Sequence, residues 1–388
     1  MGDGGPPPNL PPRGGGAEAL RALEGGAEAL PPAGGGLGGG PTPDNHSYTA
    51  RSATLPVGVV IVSWNVSDLL DRCLASLAAS SHPLRIVVVD NASQDNTAAM
   101  LRERHPEATV IANAANRGFT AANNQGLRAL GLRLDRAGES PPGETARDDA
   151  EEDRSEAGDP APQQVLLLNP DTEVAPDVVA QLLDCLAAHP RAAMAGPALF
   201  YGDGSPQPSR RRFPTVLTAL LESTPIGWRW PGLSPTRRYL MADVSDDHEQ
   251  RVDWITGAAM LLRREALEAA AGLDEGYFMY AEELDLCRRL ADLGWETWFC
   301  PAARVLHHEG RSSEQVSGLR HRIFQRSRVR YVAVHHGRLS GQVVRLGILA
   351  QYGAALVLEG FKGLLGHKRE LRRARVAAYR ELLRDGLG

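Results

Sequence analysis

The chain has 388 residues, 43% of them hydrophobic, with 42 Lys/Arg against 47 Asp/Glu. That is enough apolar material for one substantial core with appendages, and it excludes a wholly disordered or fibrous chain. Four scattered cysteines, Cys73, Cys185, Cys287 and Cys300, with no CxxC pair, exclude a disulfide-stapled secreted scaffold and point to reduced structural thiols in a cytoplasm.

In chain order, residues 1–54 are Gly/Pro/Ala-rich with few large apolar side chains, and disorder is expected there. No charged start followed by an apolar run marks a secretory signal. A β-type run, Val57 to Ser63, precedes an amphipathic helix around Asp68 to Ala79 and a second apolar run, Ile86 to Val89, the opening of a parallel sheet. The alternation continues with a helix over Asn96 to Arg104, a strand Thr109 to Ala112, a helix Thr120 to Leu132 and a strand Val165 to Leu168. The acidic, Pro-rich stretch 133–164 carries no apolar periodicity and reads as a flexible surface insertion. A helix Pro176 to Ala188, an apolar stretch Ala192 to Leu199 and an irregular Pro/Arg/Trp-rich region to about Glu249 follow. This is an α/β enzyme pattern, with a domain over 55–315 and a boundary near 312–318.

From Val316 to Gly388 there are 15 Lys/Arg against 4 Asp/Glu, with apolar residues at helical spacing. Such helices suit either an anionic surface or docking against a partner helix. Nucleic acid is not an expected partner, because no recognition motif accompanies the charge. Arg345, Glu359 and Lys362 interrupt the best apolar run, so peripheral contact with a membrane is expected in place of a span.

In parallel α/β sheets ligands bind beyond the carboxyl ends of the strands, so the polar residues that follow each apolar run are the candidates. After the first strand come Ser63 and Asn65, equally a turn and helix cap. After the second come Asp90, Asn91 and Ser93, where an acid can accept hydrogen bonds from a ribose or base while Ser93 or Asp95 caps the next helix. Asn116, Gly118 and Asn123 accompany a tight turn into a helix whose N-terminal N–H groups suit phosphate. Asn169, Asp171 and Glu173 end the buried run Leu166 to Leu168. Farther on, Glu282, Glu283 and Asp285 open a helix, with Arg288 and Arg289 one turn later and His307 after a late apolar run. Acids at a helix start followed by arginines equally describe a capped surface helix.

Taken in order, VDNASQDNT around Asp90, NRGF at Asn116, LLLNPDTE around Asp171, the tract Gly272 to Asp285 and the segment Ala303 to His307 resemble family 2 glycosyltransferases, most of all the bacterial rhamnosyltransferase-like members. The resemblance implies a GT-A fold, a Rossmann-like, mostly parallel sheet flanked by helices, with a C-terminal helical appendage. It implies that Asp90 and its neighbours hold the donor nucleoside. Asn169-x-Asp171 takes the register of the family's D-x-D motif, so Asp171, with Glu173 and His307, is expected to hold Mg2+ or Mn2+. Glu282-Glu283 takes the place of the family's ED motif, which makes Glu283 the expected base and Glu282 its fallback. Asp285 and Arg288 are expected to orient the helix or bind phosphate, and Trp254 to Ala258 to line the acceptor pocket. The implied reaction is inverting transfer from a dTDP-, UDP- or GDP-sugar, with rhamnose favoured, to a glycan or lipid-linked acceptor at the inner face of the plasma membrane. Two other readings stand beside it. A non-catalytic nucleotide- or glycan-binding module would account for the Asn169 and Glu283 departures, and a sugar nucleotidyltransferase shares the metal chemistry but wants a glycine-rich loop after the first strand.

Overall fold

The computed structural model describes residues 55–135, 161–222, 224–230, 232–308, 317–364 and 369–387. The expected disorder of 1–54 and most of 133–164 lies outside these residues; at the edges of the latter, 133–135 and 161–164 are placed, and Gln164 begins a strand.

The first half builds β1 (Val57–Ser63), α1 (Ser67–Ala78), β2 (Leu84–Asp90), α2 (Thr97–Arg104), β3 (Thr109–Ala112), α3 (Phe119–Ala129) and β4 (Gln164–Leu168). β1 pairs in parallel with β2 on one side and β4 on the other, and β2 pairs with β3. Every residue of β1 is buried, because both faces of the sheet are covered. Val57, Val59 and Ile61 join α1 and α2 in one core, while Val60 and Val62 join α3 in the other. The chain leaves β3 at one edge and re-enters on the far side of β1, so a crevice opens at the carboxyl ends of these strands.

The second half adds β5 (Thr172–Val174), α4 (Val178–Ala188), β6 (Ala192–Phe200), β7 (Pro206–Gln207), β8 (Arg210–Arg211) and three short helices, α5 (Val216–Leu221), α6 (Pro225–Arg229) and α7 (Ser234–Tyr239). Then come β9 (Gln250–Val252), β10 (Trp254–Ile255), β11 (Ala259–Arg263), α8 (Arg264–Ala269), α9 (Glu282–Asp292) and β12 (Glu296–His307). The sheet runs β3-β2-β1-β4-β11-β6-β12-β5, with β11 antiparallel to both neighbours and β12 parallel to β6. The region that reads as irregular thus holds short strands and helices that cap the second half of the sheet.

The C-terminal region forms α10 (Ser317–His335), α11 (Arg338–Leu364) and α12 (Arg369–Asp385). Tyr331, Val332, Val344, Ile348 and Tyr352 are buried in the same core as β2 and α9. Arg328 sends its guanidinium to the carbonyls of Ala219 and Glu222, and Arg330 pairs with Asp274 at 2.7 Å. The helices are therefore packed onto the sheet domain.

One expectation is corrected. Cys185 and Cys300 are joined in a disulfide, whereas Cys73 and Cys287 are free and buried. The partners are 115 residues apart in sequence, and the packing of α4 on β12 brings their Cα atoms to 6.6 Å. The interrupted run forms one helix, and by length and composition alone Arg338–Lys362 is long and apolar enough to cross a membrane.

Candidate active site

The loops after β1 and β2 are stitched to each other. Asn65 N–H donates to Ser93 Oγ at 2.9 Å, and Gln94 N–H donates back to Asn65 Oδ1 at 2.6 Å. Asp90 accepts from Ser93 N–H at 3.0 Å, which presents its carboxylate at the end of the sheet. Asp95 accepts from Ser67 N–H and Thr97 N–H, capping α1 and α2 together. Asn65 and Ala92 sit in left-handed backbone, at φ 54° and 67°. Such conformations cost about 1–3 kcal/mol each and collect where a loop is shaped for a ligand. Ser63, opposite Asp90 in the ladder, is fully buried and its hydroxyl has no hydrogen-bond partner among the described residues.

Asn91 is spent on the protein. Its Oδ1 accepts from Arg117 N–H (3.0 Å) and Asn113 Nδ2 (3.1 Å), and its Nδ2 donates to Asn116 Oδ1 (2.9 Å) and Gly118 O (3.2 Å). It braces the third loop, and has no capacity left for a ligand. Asn116 Oδ1 also accepts from Gly118 N–H, and Asn123 donates to Phe119 O inside α3. Gly118 has φ 86°, and a Cβ there would lie 2.6 Å from Phe278 O. That carbonyl accepts from Phe119 N–H at 2.8 Å, tying the loop after β3 to the segment before α9. Asn124, which the sequence reading missed, completes the tie: its side chain bonds both N–H and C=O of Leu273 and the Glu275 carboxylate.

α9 begins on a strained step, with Tyr280 at φ 68° and Ala281 at φ 64°. Ser327 of α10 donates to Met279 O at 2.8 Å, and the Tyr280 ring packs edge-on against Phe324. Glu282 and Glu283 are consecutive, and each has one carboxylate oxygen buried without a partner among the described residues. Burial pushes both carboxyls up, and the charge of Glu283 and then Asp285 adds to the rise at Glu282. At Glu283 burial is opposed by backbone N–H groups of Glu283, Gly257 and Leu284 and by Arg211. A Cβ at Gly257 would lie 3.5 Å from the Glu283 side chain, so this glycine forms the wall against which the carboxylate rests. Trp254, Ile255 and Ala258 of the expected acceptor wall are buried, which leaves Thr256 and Gly257 partly open.

Asp285 is 1% exposed and accepts from Arg289 Nε at 2.7 Å, while His335 Nε2 lies 2.8 Å from its other oxygen. It fastens α9 to α10. Arg288 pairs with Asp292 and lies over the Phe213 ring, so the orienting role belongs to Asp285.

At the end of β4, Asp171 is buried with His307 Nε2 3.4 Å from its Oδ1. His307 Nδ1 faces Gln207 Oε1 at 3.0 Å, and Nε2 faces Asp171, with Asn169 Nδ2 3.5 Å from it. Burial would raise the Asp171 carboxyl, but His307, its own backbone N–H and His308 more than reverse this and hold it below the ordinary value. A ring N–H given by Nδ1 to Gln207 is the outer support of a metal-binding histidine, and the Asp171 oxygen with the other imidazole nitrogen fits Mg2+ or Mn2+. Glu173 is drawn away: it stands in β5, 2.6 Å from His308 Nε2 and 3.5 Å from Arg72.

Residues 55–325 match the model of the glycosyltransferase like family 2. The chain belongs to this family. The family 2 glycosyltransferase is 32% identical over 257 residues, 66% of its length and 76% of the relative's, to the N-acetylglucosaminyl-diphospho-decaprenol L-rhamnosyltransferase of Mycobacterium tuberculosis. A second rhamnosyltransferase, WbbL of Escherichia coli, is 35% identical over 82 residues, 21% of this chain and 31% of the relative. Among solved structures it is similar to the mannosyltransferase PcManGT from Pyrobaculum calidifontis in complex with GDP-Man and Mn2+, at TM-score 0.47, 16% identity and 85% of each chain, a likeness too loose to bear on chemistry. The expected family, GT-A fold class and enzyme class of the family 2 glycosyltransferase are thereby borne out, including the likeness to rhamnosyltransferases.

Proposed function

We propose that this glycosyltransferase moves rhamnose from dTDP-rhamnose, with inversion, to a hydroxyl of a polyprenyl-diphosphate-linked glycan at the cytoplasmic face of a membrane. The observation that carries the reading is the buried acid pair at the start of α9, where backbone N–H groups and Arg211 oppose the rise that burial imposes on Glu283. The name of the mycobacterial relative supports the sugar and the class of acceptor.

In this reading Asp90 and the loop braced by Asn91 hold the nucleoside, and Ser63 supplies its free hydroxyl at the base of the crevice. The acceptor hydroxyl attacks the anomeric carbon from the face opposite the diphosphate, and Glu283 takes its proton. A raised pKa brings a carboxylate closer to the operating pH, where a general base is most effective. Burial and the charge of Glu283 push the Glu282 carboxyl up, which favours its neutral form beside the base. Asp171 and His307, beside Asn169, would hold the divalent cation, which when bound neutralises charge on the departing diphosphate.

The membrane contact is assigned to α11. Leu339, Val343, Leu346, Val357, Leu358 and Phe361 are exposed, the first at 80% and the last at 61%, and Ala350 and Ala354 fill the interval between them. These residues recur at helical spacing along one side, while Val344, Ile348 and Tyr352 on the other are buried in the protein. A helix wet by lipid on one side and covered by protein on the other lies in the interface. Exposed Arg338, Arg373, Arg380 and Arg384 on the same hairpin favour anionic headgroups.

The test is transfer from a panel of dTDP-, UDP- and GDP-sugars to GlcNAc-diphospho-polyprenol in anionic vesicles, read by mass spectrometry and NMR. Rhamnose transferred with a single, inverted anomeric configuration is expected; retention, or transfer from another donor alone, refutes the assignment. Flotation in the same vesicles should fall for Leu346→Glu combined with Phe361→Glu, and unchanged flotation refutes the role of α11.

A further inference from the structure

Away from the crevice, where α4 packs on β12, four side chains with metal-ligand chemistry converge. Cys185 and His189 are one helical turn apart, four residues in sequence, so they share a face. Ligand atoms of Cys185, His189 and Glu249 all lie within 4.8 Å of one another, and Cys300 is bonded to Cys185. His189 Nε2 is 3.2 Å from Glu249 Oε2. The imidazole is stacked flat on Trp298, with centroids 3.3 Å apart and planes 8° apart, which fixes the direction in which its nitrogens point. The neighbouring arginines, Arg191 and Arg251, both pair with Glu296, leaving Glu249 to His189. Both sulfurs are buried, while the imidazole and carboxylate open to solvent and give an ion a way in.

We propose that Cys185, His189, Glu249 and Cys300 form a zinc site in the reduced protein, with the disulfide as its metal-free form. Two thiolates, one imidazole and one carboxylate make a four-ligand set of the kind zinc takes in tetrahedral geometry, and a ring fixed by stacking is the outer support such a site needs. In a reducing compartment a cysteine pair beside a histidine is more often a metal site than a disulfide. The balance is explicit: a dithiol gives two electrons and two protons to the Cys185–Cys300 bond and becomes a disulfide itself, and zinc then displaces the two thiol protons. Either form clamps α4 to β12, the strand whose far end carries His307.

The test uses the full chain, reduced with dithiothreitol and freed of metal, then titrated with Zn2+ against a chromophoric chelator and separately with Co2+. One equivalent of zinc is expected in the reduced protein and none at this site in the oxidised protein. Thiolate-to-cobalt charge-transfer bands with intense tetrahedral d–d absorption distinguish this site from Asp171 and His307, where the expected ligands are oxygen and nitrogen. His189→Ala and Glu249→Gln, both near the surface, should each weaken zinc binding at least tenfold without loss of cooperative unfolding, and Cys185→Ser should abolish the cobalt bands. The proposal is overturned if the disulfide resists the dithiol, if reduced protein binds no more zinc than Cys185→Ser, or if His189→Ala binds as tightly as wild type.

Discussion

Replacing Glu283 by glutamine tests the chemistry most directly. Burial raises both carboxyls of the Glu282–Glu283 pair; backbone N–H groups and Arg211 oppose the rise at Glu283, whereas the charge of Glu283 adds to it at Glu282, and this asymmetry is the ground for proposing Glu283 as the base. A positioned general base contributes about 10²–10⁴-fold, roughly 3–5 kcal/mol of barrier, so Glu283→Gln should lose that much in kcat with the donor Kd unchanged. Glu283→Asp draws the carboxylate back by about one methylene, and since a misplacement of about 1 Å costs on the order of 10²-fold, it should fall between wild type and Gln. Glu282→Gln keeps the shape of a carboxyl that burial and the charge of Glu283 push toward its neutral form, and should stay within about tenfold of wild type. In wild type the rate should rise with pH through a carboxyl pKa raised above that of ordinary glutamate, and this limb should vanish in Glu283→Gln. Stability separates loss of chemistry from loss of fold. A carboxyl whose pKa is raised by folding makes the native state lose stability as pH climbs from the unfolded value to the folded one, so neutral glutamine should leave stability at neutral pH equal or higher. Single-turnover transfer and isothermal titration with the nucleotide decide it. Glu283→Gln retaining more than a tenth of the rate, or Glu282→Gln losing as much as Glu283→Gln, refutes the assignment of the base.

Asp171→Asn should remove the metal dependence of nucleotide binding, read calorimetrically with and without Mn2+; a variant whose binding still strengthens with Mn2+ would place the ion elsewhere. Gly118→Ala puts a Cβ into Phe278 O at φ 86°, a conformation that costs about 1–3 kcal/mol before any clash. Its donor KM should rise about tenfold or more, and an unchanged KM would show that this loop does not shape the nucleotide site. Asp285→Asn leaves Arg289 and His335 facing a neutral amide in a buried position, and loss of one partner of a buried pair costs about 3–5 kcal/mol. The urea midpoint should fall accordingly at neutral pH. Burial raises the Asp285 carboxyl but His335 and Arg289 reverse this and hold it below the ordinary value. The stabilisation is therefore present above the ordinary aspartate pKa and is lost as pH falls through the lower folded value, so the gap between wild type and variant should close in strong acid.

The placement of the candidate residues at the carboxyl ends of β1 to β4 was legible because its grammar is local. Fully buried parallel strands read as unbroken apolar runs, and the residues that face the crevice follow them within a few positions, so Asp90, Gly118 and Asp171 could be picked from strand ends alone. What stayed hidden is long-range. Gln207 reaches His307 from 100 residues away, Asn124 grips Leu273 across 149, and His335 closes on Asp285 across 50. None has a periodicity to betray it; the pair Asn123-Asn124 on a buried helix face was the one available hint.

The C-terminal region shows why charge counting misled. Its basic residues read as a field for an anionic surface, yet several are paired within the fold, some of them still at the surface. Arg328 holds carbonyls of α5 and its C-cap, Arg330 pairs with Asp274, Arg345 with the Gly386 carbonyl, Arg326 with Asp385 and Arg372 with Glu359. A guanidinium that satisfies buried carbonyls gives little to a bilayer, so the electrostatic share of the proposed membrane contact would be smaller than the sequence total suggests. The share that remains is geometric: an apolar side of α11 left uncovered because its opposite side is the one packed against α5 and α12. Attraction resting on such a stripe persists in high salt, whereas attraction resting on exposed arginines fades as the Debye length shrinks to about 3 Å at 1 M. Vesicle binding by wild type should therefore survive 1 M salt in large part, and its complete loss there would return the weight to charge.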